Sequence, residues 1–280
     1  MSQKCTHYIK TFTHDIGSIQ GRVGIACCRT SNAIVIVRGV VRSLMTNDTQ
    51  GLQRRLAEVR LRIAAAAKHA GRAVDEVQLI AVSKTHPAQV VREAISAGVT
   101  DLGENRVQEA DEKIGEVGRD AARWHLIGHL QSNKARPAVQ LFDVIHSLDS
   151  VALAQKLDRA CQDLGRAELP VLIQVDLGHE ATKTGVEEKD LPQLVEAIDS
   201  CARLSLIGLM TLPPFFDDPE LTRPFFVKLR ELRDRYRSQG AFGEKRGELS
   251  MGMTNDFEVA IDEGATMVRV GTAIFGARGK

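Results

Sequence analysis

A chain of 280 residues with 37 Lys and Arg against 36 Asp and Glu carries no global field that would draw it to nucleic acid or to an anionic membrane. Its five cysteines, Cys5, Cys27, Cys28, Cys161 and Cys201, show neither CxxC spacing nor an even framework, which favours a reducing, cytoplasmic interior. The longest apolar stretch, Ile34 to Val41, is broken by Arg38 and is too short to span a bilayer, while the length suits one large domain or two ordinary ones.

Residues 1 to 44 carry Lys4, Lys10, Arg22, Arg29, Arg38 and Arg42 against one acid, Asp15, and show neither sustained helical nor strand periodicity. The composition is weakly like a transit peptide, but no amphipathic arginine helix emerges, and Met45 stands directly before a polar segment. Residues 1–44 are therefore expected to be an extension, disordered or outside the mature fold, and residues 45–280 the folded domain. From Leu52 the pattern Leu56, Val59, Ile63, Ala66, Ala70 steps by three and four, an amphipathic helix that Gly71 ends.

Short apolar runs then alternate with helical ones. Eight candidate strands follow: Val77 to Val82, Val99 to Gly103, Trp124 to Gly128, Phe142 to His146, Val171 to Asp176, Leu204 to Met210, Glu248 to Ser250 and Met267 to Val270. Stretches such as Gln89 to Ala97, Ser150 to Leu164, Asp190 to Ser200 and Pro219 to Gln239 are long enough for crossover helices. Strict β/α alternation predicts a parallel sheet, and eight units predict a closed (β/α)₈ barrel of the TIM type. A doubly wound open sheet is the alternative, but it needs a glycine-rich phosphate loop after its first strand, where this chain has Pro87. Few residues follow Val270, so the helix at 52 to 70 is expected to fill the last outer position.

In "LIAVSKTHP", residues 79 to 87, Gln78, Ile80, Val82 and Lys84 face one way and Leu79, Ala81 and Ser83 the other. Both faces are largely apolar, as in a parallel strand covered on two sides. At the carboxyl end of a barrel strand, Lys84 belongs in the mouth, where barrel active sites lie. Opposite it, "SMGMTNDFE" closes the seventh strand and "RVGTAIFG" the eighth. Gly252 and Gly271 permit close backbone approach, the hydroxyls of Ser250 and Thr272 can donate, and a helix start with a capping box from Asn255 to Glu258 favours an anion. With Arg269, these residues suit the phosphate cup that barrels often carry after strands seven and eight better than the alternative, in which the two glycines merely make tight turns.

A lysine facing a phosphate cup predicts a phosphorylated carbonyl compound bound as a Schiff base, which requires a neutral amine. Lys134 and Lys183, in "GHLQSNK" and "GHEATKTG", sit in polar loops past their strands and suit hydrogen bonding or ligand access better. Glu104 and Asn105 come at the end of the second strand. Asn105 either lies against a ring or caps a helix. Met210 either packs on a ring face or fills the core. His125 and Trp124 read as structural.

The segments "AVSKTHP", "GENRVQE", "WHLIGHLQSNK", "GLMTL" and "SMGMTNDFEVAIDEGATMVRVGTAIFG" resemble, in order and over residues 47 to 279, the YggS/PROSC family of pyridoxal-phosphate homeostasis proteins. The resemblance implies a single-domain, fold-type III barrel like the amino-terminal domain of alanine racemase, with Lys84 as the Schiff-base lysine and Asn105 by the pyridine ring. It further implies that Ser250, Gly252, Arg269, Gly271 and Thr272 line the cofactor site, mostly around the phosphate; whether Arg269 meets the phosphate or the ring nitrogen stays open. The expected partners are pyridoxal 5'-phosphate and apo-enzymes that receive it, with no nucleic acid and no membrane, and the chain is expected to be a monomer.

Two functions compete: a non-catalytic carrier that buffers a reactive aldehyde, and an amino-acid racemase or decarboxylase. Racemization normally wants a second base on the opposite face, which fold-type III racemases supply as a tyrosine from an added β domain. Here the tyrosines are Tyr8, in the expected extension, and Tyr236, in the charged helix "RELRDRYRSQG". An aldolase is a weaker third reading, because the sixth strand, "RLSLIGLM", carries no lysine. The carrier is the expected function.

Overall fold

In the computed structural model, which describes residues 32–178 and 184–276, eight parallel strands close into a barrel in chain order. They are β1 (Gln78–Val82), β2 (Asp101–Glu104), β3 (Arg123–Leu126), β4 (Val144–Leu148), β5 (Leu169–Gln174), β6 (Leu204–Met210), β7 (Glu248–Ser250) and β8 (Met267–Val270). The helices are α1 (Asn32–His69), α2 (Ala88–Ser96), α3 (Val107–Val117), α4 (Ala135–Leu141), α5 (Val151–Leu164), α6 (Leu191–Asp199), α7 (Arg223–Ser238), α8 (Phe257–Asp262) and α9 (Thr272–Phe275). The open-sheet alternative is thereby excluded. The barrel belongs to one compact unit, Gly51–Lys280; Met1–Gln50 is a separate unit.

Two apolar layers account for the closure. Ile80, Val144, Leu172, Ile207, Met210 and Met267 fill the barrel interior, while alternate residues such as Ala81, Leu102 and Leu209 join the helices in the larger outer core. Strand alternation on β1 therefore runs as its sequence predicts, with Ile80 inward and Ala81 outward. The Gly51–His69 part of α1 takes the last outer position. Arg60 donates to the Gly98 carbonyl after α2 at 2.6 Å, Arg62 to Glu258 on α8 at 2.6 Å, and Arg55 to the Ile274 carbonyl on α9 at 2.7 Å. Gly71, at φ +67°, closes that helix as the Arg72 N–H returns to the Ala67 carbonyl at 2.9 Å.

Beside offsets of one or two residues at the ends of β2, β3 and β5, three local expectations shift for identifiable reasons. Helix α1 begins at Asn32, so residues 32–44 are helical despite lacking an amphipathic stripe. Periodicity reports which face is buried, whereas a helix needs only its i to i−4 bonds. Residues 1–31 of the expected extension lie outside the described residues. Strand β4 starts at Val144 rather than Phe142, because Phe142 ends α4 and Asp143 turns its carboxylate to the Trp124 N–H at 2.7 Å. The Asn255–Glu258 capping box does not form. Asp256 reaches back to the Met253 N–H at 2.6 Å, Asn255 donates to the Phe216 carbonyl at 3.0 Å, and Glu258 is taken by Arg62. Among the described residues no helix is long and apolar enough to cross a membrane, and no group of three or more His, Cys, Asp or Glu could hold a metal ion.

Candidate functional site at the barrel mouth

Every residue singled out for the site stands at the carboxyl end of β1, β2, β6, β7 or β8. Lys84 is half-buried and lies two residues beyond β1, in a turn rather than on the strand itself. Both of its neighbours are tied to α3. The Ser83 hydroxyl donates to Glu104 Oε1 at 2.6 Å, and the buried Lys113 Nζ donates to the Ser83 carbonyl, Glu104 Oε1 and Glu109 Oε1, each at 2.7 Å. The Thr85 N–H donates in turn to the Glu109 carboxylate. Thr85 has φ +67°, a left-handed conformation that costs a non-glycine residue roughly 1–3 kcal/mol and persists only when its surroundings hold it. Burial pushes the Glu104 carboxyl up despite its bond to Lys113. At Glu109 burial pulls the same way, but Lys113 and the Thr85 N–H prevail and hold it low. The four-residue spacing of Glu109 and Lys113 on α3 was the signal for this clamp, and reading the sequence for chemistry alone passes over it.

Across the mouth, Arg269 on β8 is only 3% exposed. Its Nη1 donates to Ser250 Oγ at 2.6 Å and its Nη2 to the Thr211 carbonyl at 2.9 Å. Among the described residues no carboxylate lies within ion-pair distance of it, and burial pulls its pKa down to about 10. Ser250 is fully buried, and its oxygen also lies 2.9 Å from His146 Nδ1. Its hydroxyl is thus engaged inside the barrel, whereas the sequence suggests a free donor to an anion. Gly252 must be glycine: at φ +89°, a Cβ there would sit 2.6 Å from that of Ala260 and 2.9 Å from the Phe257 Cα. A Cβ on Gly271 would lie 3.3 Å from the Val82 carbonyl, so the end of β8 runs close beside the strand that leads to Lys84. Thr272 opens α9 with its side chain exposed.

Asn105 follows β2 and does not cap α3, whose N-cap is Arg106. Its Oδ1 is buried without a hydrogen-bond partner among the described residues. Asn105 is one of the residues that line an open hollow of about 600 Å³, with Arg106, Gly128, His129, Gln131 and Lys134 among the others. Lys134 lines the same hollow as Asn105, and Lys183 lies outside the described residues. Met210 is fully buried at the top of the interior cluster. Trp124 is structural, its indole N–H donating to the Arg119 carbonyl at 3.2 Å. Tyr236 is buried in the outer core on α7, and Tyr8 lies outside the described residues.

Among the described residues, a buried amide oxygen without a donor, a buried cation bonded only to neutral oxygens and two close-packed glycines suit a ligand that brings both an anionic or acceptor group and a hydrogen-bond donor to this mouth. Residues 55–279 match the family model for the alanine racemase N-terminal domain. The chain is 43% identical over 224 residues to the pyridoxal phosphate homeostasis protein of Aquifex aeolicus, covering 80% of this chain and 97% of that one. It is 44% identical over 225 residues to the protein of the same name from Pseudomonas aeruginosa, covering 80% and 94%. Among solved structures, PipY of Synechococcus elongatus PCC7942 with PLP bound is 41% identical with a TM-score of 0.68, covering 80% of this chain and all of that one.

Proposed function

The chain belongs to the family of pyridoxal phosphate homeostasis proteins, and from that premise we propose that it binds pyridoxal 5'-phosphate at the barrel mouth and serves as a carrier rather than as an enzyme. The observation that carries the reading is Arg269, a buried guanidinium whose two bonds go to neutral oxygens, leaving its charge for a ligand. Phosphate oxygen or ring nitrogen would each satisfy it.

When bound, the cofactor supplies an aldehyde that a neutral amine attacks, with loss of water, to give a Schiff base. Lys84 is the amine. The clamp on Ser83 and Thr85 fixes its turn. Asn105 would offer its unpaired Oδ1 to a donor on the ring or its substituents, Met210 would pack against the ring from the top of the interior cluster, and Ser250, Gly252, Gly271 and Thr272 with Arg269 would complete the cup. The acceptors are apo-enzymes that need the cofactor, and the carrier acts as a monomer in the reducing cytoplasm, which suits the free thiols of Cys161 and Cys201.

Borohydride reduction of the loaded protein, followed by peptide mapping, tests the site. Label is expected on Lys84, and label chiefly on Lys134 or Lys183 would overturn the assignment. The carrier reading predicts transfer of the cofactor to an apo-enzyme without meaningful racemization or decarboxylation of common amino acids. Robust turnover that survives repurification and is lost in Lys84→Ala would replace it with the enzyme reading.

A further inference from the structure

Below Arg269 a continuous line of buried polar groups crosses the barrel interior. Ser250 Oγ lies 2.9 Å from His146 Nδ1, His146 Nε2 lies 2.9 Å from His125 Nδ1, and His125 Nε2 lies 3.0 Å from Asp101 Oδ1. The step from His146 on β4 to Ser250 on β7 joins strands that are not neighbours, so it runs through the inside of the barrel. Both histidines are fully buried. The Asp101 carboxylate at the lower end also accepts from Gln78 Nε2 at 2.6 Å and from the Thr100 hydroxyl at 2.7 Å.

The ends of this line determine its proton arrangement. A guanidinium can only donate, and an ionised carboxylate can only accept. Ser250 Oγ accepts from Arg269, and its single proton can go to His146 Nδ1. A neutral His146 then carries its proton on Nε2 and gives it to His125 Nδ1, and a neutral His125 carries its proton on Nε2 and gives it to Asp101. The opposite arrangement, with protons on both Nδ1 atoms, leaves a bare His125 nitrogen facing the carboxylate. Making that last bond as well would require a buried imidazolium. The charges around the pair are Asp101 and Arg269 at its two ends, with Arg123 and Asp143 at the feet of β3 and β4. Burial holds both imidazoles below their ordinary pKa, His146 well below, in agreement with the neutral column.

We infer that His125 and His146 are positioning residues of the cofactor site: a neutral, one-way hydrogen-bond column that commits the Ser250 proton inward and keeps the Ser250 oxygen as an acceptor that aims Arg269. The inference rests on the reading of Arg269 as a cofactor residue. It assigns Ser250 a new part, because a hydroxyl whose proton is given to His146 cannot also donate to a phosphate. It also means that the column is no proton path, since its upper end is a group that does not release a proton at neutral pH.

Nitrogen-15 NMR of the imidazoles in the cofactor-free protein tests the column directly. Both histidines should be neutral with the proton on Nε2 across about pH 5 to 8, where an ordinary histidine titrates. A proton on Nδ1 of either ring, or a titration in that range, would overturn the inference whatever the cofactor does. A double-mutant cycle on pyridoxal phosphate dissociation tests the positioning. His146→Leu should speed release at least tenfold in a folded protein. His146→Asn, which keeps an acceptor near the Nδ1 position, should recover most of that loss, and His146→Leu should add little once Ser250→Ala is present. Multiplicative effects with no recovery by Asn would leave the histidines merely structural and refute the positioning role. Unchanged retention in Arg269→Ala would instead defeat the cofactor reading of Arg269, so the two failures are separable.

Discussion

The two sides of the mouth are held by opposite means. The Lys84 turn is pinned by charge, with Lys113 gathering Glu104, Glu109 and the Ser83 carbonyl between the strands and α3. Arg269 is aimed by uncharged groups, a serine hydroxyl, a backbone carbonyl and the imidazoles behind them. A turn with a strained residue needs several strong anchors, and these can stand outside the barrel. A buried cation meant for a ligand needs direction without neutralisation, because a carboxylate beside it would take up the charge that the ligand must meet.

The sharpest way to break this comparison is to discharge the clamp. Lys113→Met leaves the buried Glu104 carboxylate without its cation, and removing one partner of a buried pair costs roughly 3–5 kcal/mol. Urea unfolding should show a loss of that order, largely recovered when Glu104→Gln is added; a loss under about 1 kcal/mol would show that the clamp holds little. On the other side, Arg269→Ala should leave folding nearly intact and weaken cofactor retention. A charge-assisted hydrogen bond is worth roughly 1.5–3 kcal/mol, or about ten- to hundredfold in the dissociation constant, read from equilibrium dialysis.

Acid should separate the two sides further. The folded state keeps His125 and His146 neutral below their ordinary pKa, while the unfolded chain protonates both below about pH 6.5. The unfolded state therefore binds more protons, and stability is lost as pH falls from about 6.5 toward the folded values. The slope contributed is at most about 1.4 kcal/mol per pH unit for each histidine. Glu104 has the reverse sign: with its folded pKa raised, its contribution is present at acid pH and lost as pH rises through that value. His146→Asn should remove about half of the histidine slope between roughly pH 5 and 6.5 in a series of unfolding curves; an unchanged slope would place its origin elsewhere. The smallest effect is expected from deleting residues 1–44, since the clamp, the column and the cup all use residues after Gly51. A truncated chain that is insoluble or fails to bind the cofactor would contradict this.

Much of the fold was legible in the chain. The limits of β6, β7 and β8 agree with the sequence reading residue for residue, β1 differs by one residue at its start, and β2, β3, β4 and β5 are offset by one or two residues at both ends. Each is a short apolar run bounded by polar or turn residues. Strand β4 was displaced because apolar Phe142 serves a helix end, which composition alone does not distinguish from a strand start. Of the site, the strand-end positions of Lys84, Asn105, Met210, Ser250, Arg269 and Thr272 followed from β/α alternation once a barrel was assumed.

What the sequence determined by itself is thus the order of elements and which residues stand at the mouth, because periodicity and turn chemistry are local properties of a few neighbouring residues. Which groups those residues meet was decided only in the closed barrel. Asp101, His125, His146 and Ser250 come from four different strands, and nothing in "WHLIGH" or "VIHSLDS" says that two imidazoles will face each other at 2.9 Å. Pairing of β3 with β4 brings the two imidazoles together, closure brings β4 opposite β7 so that His146 meets Ser250, and the proton direction then follows from the donor-only cation at one end and the acceptor-only carboxylate at the other.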